Sequence, residues 1–297
     1  MKFLQPATWA DALAMKSDMP DALPIAGGTD VMVELNFDAR RPTALLDLTT
    51  VAELAEWTVD DGRVRLGAGV SYARVISELG ARLPGLAMAA RTIGSPQIRN
   101  RGTVGGNLGT ASAAGDCHPV LLAGAADIEV VSVRGSRMIP AAEFFTGVKR
   151  NAMEPDELIV AVHMPLPSGP EQFSKIGTRN AMVIAVAAFS LALHPDRHEV
   201  GTGIGSAAPT PRPAPEAGQF LAAALTEAGL WESRGELPDS VSERFATMVR
   251  AAAAPIDDVR GTAAYRLHAL AVMARRTLAW AWQDYQTAGR RSADEGG

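Results

Sequence analysis

Residues 98–116 read IRNRGTVGGNLGTASAAGD, and this stretch decides how the rest of the chain is understood. Gly102, Gly105, Gly106, Gly109 and Gly115 alternate with Thr103, Asn107, Thr110 and Ser112, and the stretch ends at Asp116. Glycine this dense lets backbone approach a ligand and reach positive φ without strain. The hydroxyl and amide side chains between the glycines can hydrogen-bond a phosphate or a sugar. A ligand-free surface loop seldom needs both properties, so the stretch is read as a cofactor loop.

A second glycine site lies upstream. Leu23 to Ala26 is a short apolar run stopping at Gly27-Gly28, after which Thr29-Asp30 is expected to cap a helix over Val31 to Asn36. A strand, a glycine turn and a helix start place unpaired N–H groups toward an anion. Together the segments suit an elongated ligand with phosphates and a flat apolar ring. Ala26 to Asp30 supplies one cradle of amides and Thr103 to Asn107 a second, with Thr110, Ser112 and Asp116 for sugar hydroxyls.

Composition narrows the class. The 297 residues carry a net charge of −5, unlike the basic excess of a nucleic-acid surface. The longest apolar run, Ala181 to Leu193, is too short to span a bilayer, and the N-terminus has no signal-peptide apolar region. Cytoplasm is the expected compartment. The single cysteine, Cys117, leaves no internal disulfide and no self-contained iron–sulfur cluster, which needs about four thiolates.

The pattern outside the glycine segments predicts helices over Trp9 to Lys16, Ser71 to Leu79, Leu86 to Thr92, Pro119 to Ala125 and Ala141 to Phe145. Strands are expected over Ala44 to Leu48, Arg63 to Ala68, Ile128 to Val133, Arg137 to Ile139 and Glu157 to Met164. Pro165, Pro167, Ser168, Gly169 and Pro170 mark a joint. Beyond it, Ala181 to Leu193 and Glu199 to Ile204 are expected to pair as a hairpin. Helices follow over Gly218 to Ala228, Ser240 to Ala253 and Thr262 to Thr287, with a polar tail after Gly289.

Four other motifs carry less. Gly203-Ile204-Gly205-Ser206-Ala207-Ala208 mimics a dinucleotide fingerprint, but Pro209, Pro211 and Pro213 deny it the helix it needs. His194 and His198 mimic metal-ligand spacing across a turn that holds Pro195. His118 and Cys117 read as packed residues at a helix start rather than as base or nucleophile. Arg91, Arg99 and Arg101 suit a partner protein, cofactor phosphates or solvent equally.

With these residues assembled, a resemblance emerges. AGGTD at 26–30, IGSPQIRNRGTVGGN at 93–107, ASAAGD at 111–116, FFTGVKRNAMEPDELIVAVHMP from Phe144, FSKIGTRNAM from Phe173 and IDDVRGTAAYRLHAL from Ile256 resemble the FAD-binding medium subunits of molybdenum hydroxylases. The resemblance runs from the first residues to about Tyr285. It implies an α+β chain: a p-cresol methylhydroxylase-type, two-part FAD domain over 1–168, then a C-terminal domain over 171–288 with a three-stranded antiparallel sheet plus helices. Residues 289–297 form the tail. It implies FAD contacts at Ala26, Gly27, Gly28, Thr29, Asp30, Thr103, Val104, Gly105, Gly106, Asn107, Thr110, Asp116, Ile159 and Lys175. Ile93 is a further candidate.

The resemblance implies no catalytic side chain and no metal site in this chain, since the flavin is the redox group. Partners are a small subunit with 2Fe–2S clusters and a large molybdopterin subunit, in a dimer of heterotrimers. The acceptor is NAD⁺ or another oxidant. Xanthine is the first substrate expected, ahead of carbon monoxide, aldehydes and N-heterocycles. A vanillyl-alcohol-type oxidase and a flavin-free scaffold are the rival classes. Gly28→Val or Gly105→Val is expected to weaken FAD binding while the chain still folds.

Overall fold

The structure is a computed structural model that describes residues 1–294. Its first layer is a parallel sheet in which Ala44–Asp47 lies between Lys2–Leu4 and Leu23–Ile25. Parallel neighbours need crossovers, and helices Trp9–Asp18 and Val31–Asn36 provide them. The first of these starts on a capping box, in which the Thr8 hydroxyl accepts from the Asp11 amide and the Asp11 carboxylate accepts from the Thr8 amide. The second buries none of its residues.

A five-stranded antiparallel sheet follows, ordered Trp57–Asp60, Arg63–Gly67, Leu158–Pro165, Asp127–Ser132, Gly135–Pro140. Two sequence-local hairpins are joined by Leu158–Pro165, which enters between them last in the chain. Its register sets Ala161 against Gly67 and Val162 against Ile128. Helices Tyr72–Glu78, Pro84–Arg91, Pro96–Arg101 and Val104–Thr110 lie between the second and fourth of those strands in sequence. The core here is continuous through Leu46, Leu66, Leu86, Leu108, Leu121 and Ile128.

The stretch read as a loop is therefore largely helical. Ser95 and Thr103 cap two short helices, each hydroxyl accepting from the amide three residues on. Glycine in a helix costs roughly 1 kcal/mol against alanine. Val104 and Leu108, one turn apart and both buried, offset that cost by anchoring the helix, and Ala111 ends it at φ 49°.

After the prolines, Glu171–Ile176, Ala187–His194 and Glu199–Gly205 form an antiparallel sheet. Helices Pro215–Glu227, Asp239–Ala251 and Ala263–Asp294 build a second core with it, centred on Phe189, Leu221, Phe245 and Leu270. On the sheet's other side, a Cβ on Gly201 would overlap the Ala123 carbonyl and one on Gly203 the Pro119 carbonyl. Gly203, the first glycine of the run that mimics a dinucleotide fingerprint, and Gly201 before it thus make room for helix His118–Ala123.

Two expectations are corrected. The strand begins at Ala187, not Ala181, because Met182 adopts φ 50° and the ladder resumes only where the Val186 amide meets the Ile176 carbonyl at 2.8 Å. The last helix runs through Asp294, so most of the expected polar tail is helical, while 295–297 lie outside the described residues. The edge strand Trp57–Asp60, the small hairpin Phe145–Gly147 with Arg150–Asn151, and Glu171–Ile176 carry too few alternating buried positions to be read from periodicity. His194 and His198 diverge: the first faces the Ala123 carbonyl, and the second stacks on Trp231 at 5.5 Å.

Candidate cofactor-binding cleft

Where the parallel sheet, the five-stranded sheet and the third sheet meet, a cleft of about 1360 Å³ opens. That exceeds the roughly 300–1,000 Å³ of a drug-sized ligand site, as a dinucleotide requires. One wall is the turn from Ala26 to Asp30. Gly28 sits at φ 74°, a conformation that suits glycine. Gly27 has a different task, since a Cβ there would overlap the carbonyl of Arg101 at the end of helix Pro96–Arg101.

Asp30 does not cap its helix. Its backbone is already helical and its side chain makes no capping bond. Instead its carboxylate accepts from the Thr110 hydroxyl at 3.2 Å, joining the two glycine segments across the cleft.

The opposite wall differs from the expected row of free amides. The Gly105 amide donates to the Ala68 carbonyl, the Gly106 amide to the Thr103 hydroxyl, and the Asn107 amide to the Thr103 carbonyl. What this wall presents is side chains and open glycine faces. The Asn107 Oδ1 is buried with no protein partner, and nothing lies within 4 Å of a Cβ built on Gly109. Gly105 packs against Ala68, which a Cβ would approach to 2.5 Å. The expectation that Gly105→Val folds normally is therefore withdrawn.

At the far end stands Asp116. Its Oδ2 accepts from Lys175 Nζ at 2.5 Å and from the Thr92 hydroxyl at 3.0 Å, and both members of the ion pair are less than a tenth exposed. Burial pushes the Asp116 carboxyl up from its ordinary value, and the Lys175 ammonium opposes the shift. Its other oxygen, Oδ1, is buried and unpartnered. Buried acceptors without donors are rare in folded proteins. Two of them bordering one cleft fit the hydroxyls of a bound sugar or ribityl chain.

Of the residues named from sequence, Ala26, Gly27, Gly28, Thr29, Asp30, Thr103, Gly105, Gly106, Asn107, Thr110, Asp116 and Ile159 line the cleft, as does Ile93. Val104 and Lys175 do not line it. The first is turned into the core, and the second stands behind Asp116 and also donates to the Thr92 carbonyl at 3.2 Å. The arginine cluster divides. Arg99 donates to the carbonyls of Ile93 and Gly94 just past helix Pro84–Arg91, while Arg101 lines the cleft. His118 is buried against Phe145, and burial pulls its pKa down to about 3, so the ring is neutral. Burial also pushes the Cys117 thiol up, which suppresses nucleophilicity.

From the third-sheet unit, sequence reasoning named Lys175 alone. Val183, Ile184 and Arg260 line the cleft, as do Ile93, Leu158 and Ile159. Lys16, Arg40 and Lys149 also line it, and the last two pair with Glu34, at 3.5 Å and 2.7 Å. No periodicity marks such residues, because they reach the cleft through tertiary packing alone.

Comparison with known proteins fits this geometry. Residues 1–167 match the family described as the FAD binding domain in molybdopterin dehydrogenase. The chain is 31% identical over 282 residues to the xanthine dehydrogenase FAD-binding subunit of Escherichia coli O157:H7, covering 92% of each. It is 33% identical over 205 residues to the nicotinate dehydrogenase FAD-subunit of Eubacterium barkeri, covering 66% of this chain and 69% of that one. Among solved structures, a chain of the cyanide-inactivated Cu,Mo-CO dehydrogenase superposes with a TM-score of 0.86 at 27% identity, over 96% of this chain and 98% of the other. The chain belongs to the FAD-binding subunits of the molybdenum hydroxylase family, and it is an oxidoreductase subunit.

Proposed function

We propose that this chain holds FAD non-covalently as the electron exit of a molybdenum hydroxylase, with 1–168 as a p-cresol methylhydroxylase-type FAD domain and 171–288 as the C-terminal domain. It receives electrons from a small 2Fe–2S partner, supplied in turn by a large molybdopterin partner, and delivers them to NAD⁺ or another acceptor. Bound FAD supplies chemistry that takes electrons singly and releases them in pairs, which is the cofactor's own. Xanthine is the substrate class favoured for the large partner, supported by the xanthine dehydrogenase subunit that matches over 92% of the chain.

The chain's residues supply position. Asn107 Oδ1 and Asp116 Oδ1 accept from hydroxyls of the ligand, and these two unpartnered oxygens carry the proposal. Lys175 and Thr92 hold the Asp116 carboxylate in place from behind. Ala26 to Asp30 offers backbone amides at a helix start, whose first N–H groups lack intrahelical partners. Ile93, Ile159, Val183 and Ile184 are among the apolar side chains of the lining, which suit the isoalloxazine ring. No general acid or base is called for.

Gly109→Val tests the reading. Gly109 lines the cleft, and a Cβ built on it has nothing within 4 Å, so the new side chain starts in open space. The variant is expected to fold with an unchanged thermal midpoint when stripped of flavin, and to bind FAD more weakly by tenfold or more, roughly 1.4 kcal/mol. Flavin absorbance of the purified chain and FAD titration of the apoprotein measure both. Unaltered FAD affinity would place the cofactor elsewhere.

A further inference from the structure

Side chains alternate in direction along a strand, and strand Glu171–Ile176 uses its two faces differently. Gln172 donates to Asp284 at 2.6 Å and Ser174 pairs with the Thr277 hydroxyl at 2.8 Å, both on the last helix. Glu171, Phe173 and Lys175 point the other way. Phe173 joins the first core, and the two charged residues meet opposite ends of helix Pro84–Arg91. Glu171 Oε2 accepts from the Gly85 amide in the first turn at 3.0 Å, while Lys175 Nζ donates to the carbonyl of Thr92, the C-cap, at 3.2 Å. The spans match: four strand steps cover about 13 Å, and a helix of 8 residues about 12 Å. The signs suit the helix dipole as well, an acid at the N-terminus and an ammonium at the C-terminus.

Keeping an acid at this place is costly. Glu171 is 5% exposed, burial pushes its carboxyl up from its ordinary value, and among the described residues no cation pairs with it. The helix has Leu83 at its N-cap and no side-chain cap of its own. A serine or aspartate at Leu83 would satisfy a first-turn amide more cheaply. An acceptor reaching in from the strand does something a local cap does not, because it also fixes where the strand sits. Gly85 makes room for it, since a Cβ there would stand 3.0 Å from both Glu171 Cβ and Oε2.

We propose that Glu171 is a positioning residue for the cofactor: it locks the strand in place along helix Pro84–Arg91, so that Lys175 holds Asp116 toward the ligand. The inference rests on the reading that FAD fills the cleft with Asp116 accepting from one of its hydroxyls. Glu171 does not line the cleft, so it acts through the strand alone. Lys175 is what the strand's placement controls. Its ammonium reaches Asp116 Oδ2 at 2.5 Å, and Asp116 Oδ1 is the unpartnered acceptor left for the ligand. Without Glu171, the strand is held along the helix by Phe173, whose apolar packing is non-directional, and by the lysine itself.

The test is a fluorescence titration of the full chain, stripped of flavin, with FAD. Glu171→Met fills the same space and removes the acceptor, and it is expected to weaken FAD by about tenfold, the worth of one misplaced hydrogen bond to Asp116. Glu171→Gln keeps an oxygen for the Gly85 amide and is expected to stay within about twofold of the wild type. Lys175→Met and the double variant Glu171→Met with Lys175→Met are expected to bind FAD equally, since the acid works through the lysine. Unaltered affinity in Glu171→Met overturns the inference while the FAD reading stands. So does a Glu171→Gln variant as weak as Glu171→Met, or a double variant whose loss adds the two single losses. If Glu171→Met yields no folded protein, Glu171→Asp, whose carboxyl stops one methylene short, takes its place with the same outcomes. A wild-type chain that takes up no FAD overturns the FAD reading and the inference built on it.

Discussion

The two glycine segments look alike in sequence and are built differently. Gly105, Gly106 and Gly109 lie in a helix that Thr103 caps and that Val104 and Leu108 anchor in the core. Gly27 and Gly28 precede a helix with no side-chain cap and no buried residue. The downstream segment is thus preorganised by its own side chains, and the upstream one takes its position from the other. Gly27 abuts the Arg101 carbonyl and Asp30 bonds Thr110. In each segment one glycine is there for close packing against backbone and another lines the open cleft. That division of labour cannot be seen in a string of glycines.

The most severe way to break the comparison is to fill the packing glycines. Gly27→Val drives a side chain into the Arg101 carbonyl, and Gly105→Val into both the backbone and Cβ of Ala68. Overpacking of this kind costs about 1–3 kcal/mol when neighbours can move, and more against backbone. Both variants are expected to lose soluble, folded protein, read from expression yield and circular dichroism, where Gly109→Val does not. If Gly27→Val folds as well as Gly109→Val, the upstream segment does not depend on the downstream one for its position.

How much of this was legible follows from the same contrast. Local signals were sufficient for the helix Trp9–Asp18, for the Asp127–Ser132 and Gly135–Pro140 hairpin, and for the strand Leu23–Ile25 before the double glycine, because capping residues, alternation and glycine turns act within a few residues. They misplaced the start of Ala187–His194, since an apolar run does not reveal where a ladder bond resumes. They gave the cleft's near walls but not Arg260, which reaches it through Arg266 and Asp258 from a separate core. The free amides expected over Thr103 to Asn107 were misjudged for a related reason. Their acceptors include Ala68, distant in sequence.

A middle-sized effect is expected where the downstream segment is tied to the third sheet. Lys175→Met leaves the Asp116 carboxylate buried without its cation, and breaking a buried pair costs about 3–5 kcal/mol. Burial already raises the Asp116 pKa, and without the ammonium nothing charged opposes that rise. An acid whose folded pKa lies above its unfolded value loses stability as pH rises through that range. The variant's deficit should therefore be largest at neutral pH and shrink as acid neutralises Asp116. Denaturant midpoints of both chains across pH measure it. A deficit independent of pH would mean the lysine acts through packing and not charge.

The smallest effect sharpens the contrast most directly, because it compares one cap with its counterpart. The Thr103 hydroxyl accepts the Gly106 amide at 3.0 Å, whereas Asp30 holds no amide of its own helix. Thr103→Ala should cost about 1 kcal/mol, the usual worth of an N-cap, while Asp30→Ala should stay within about 0.5 kcal/mol, as surface substitutions do. The ranking should reverse for cofactor. Losing Asp30 leaves the Thr110 hydroxyl bonded within its own helix, to the Gly106 carbonyl, and loosens the upstream turn, whose placement rests on the Asp30 bond and on Gly27. FAD affinity should then fall more in Asp30→Ala than in Thr103→Ala, even though the protein without flavin is the more stable of the two. Unfolding midpoints of the apoproteins set against their FAD titrations separate the two orders. If stability and affinity fall together in both variants, the two segments form one rigid cradle and the upstream one does not lean on its neighbour.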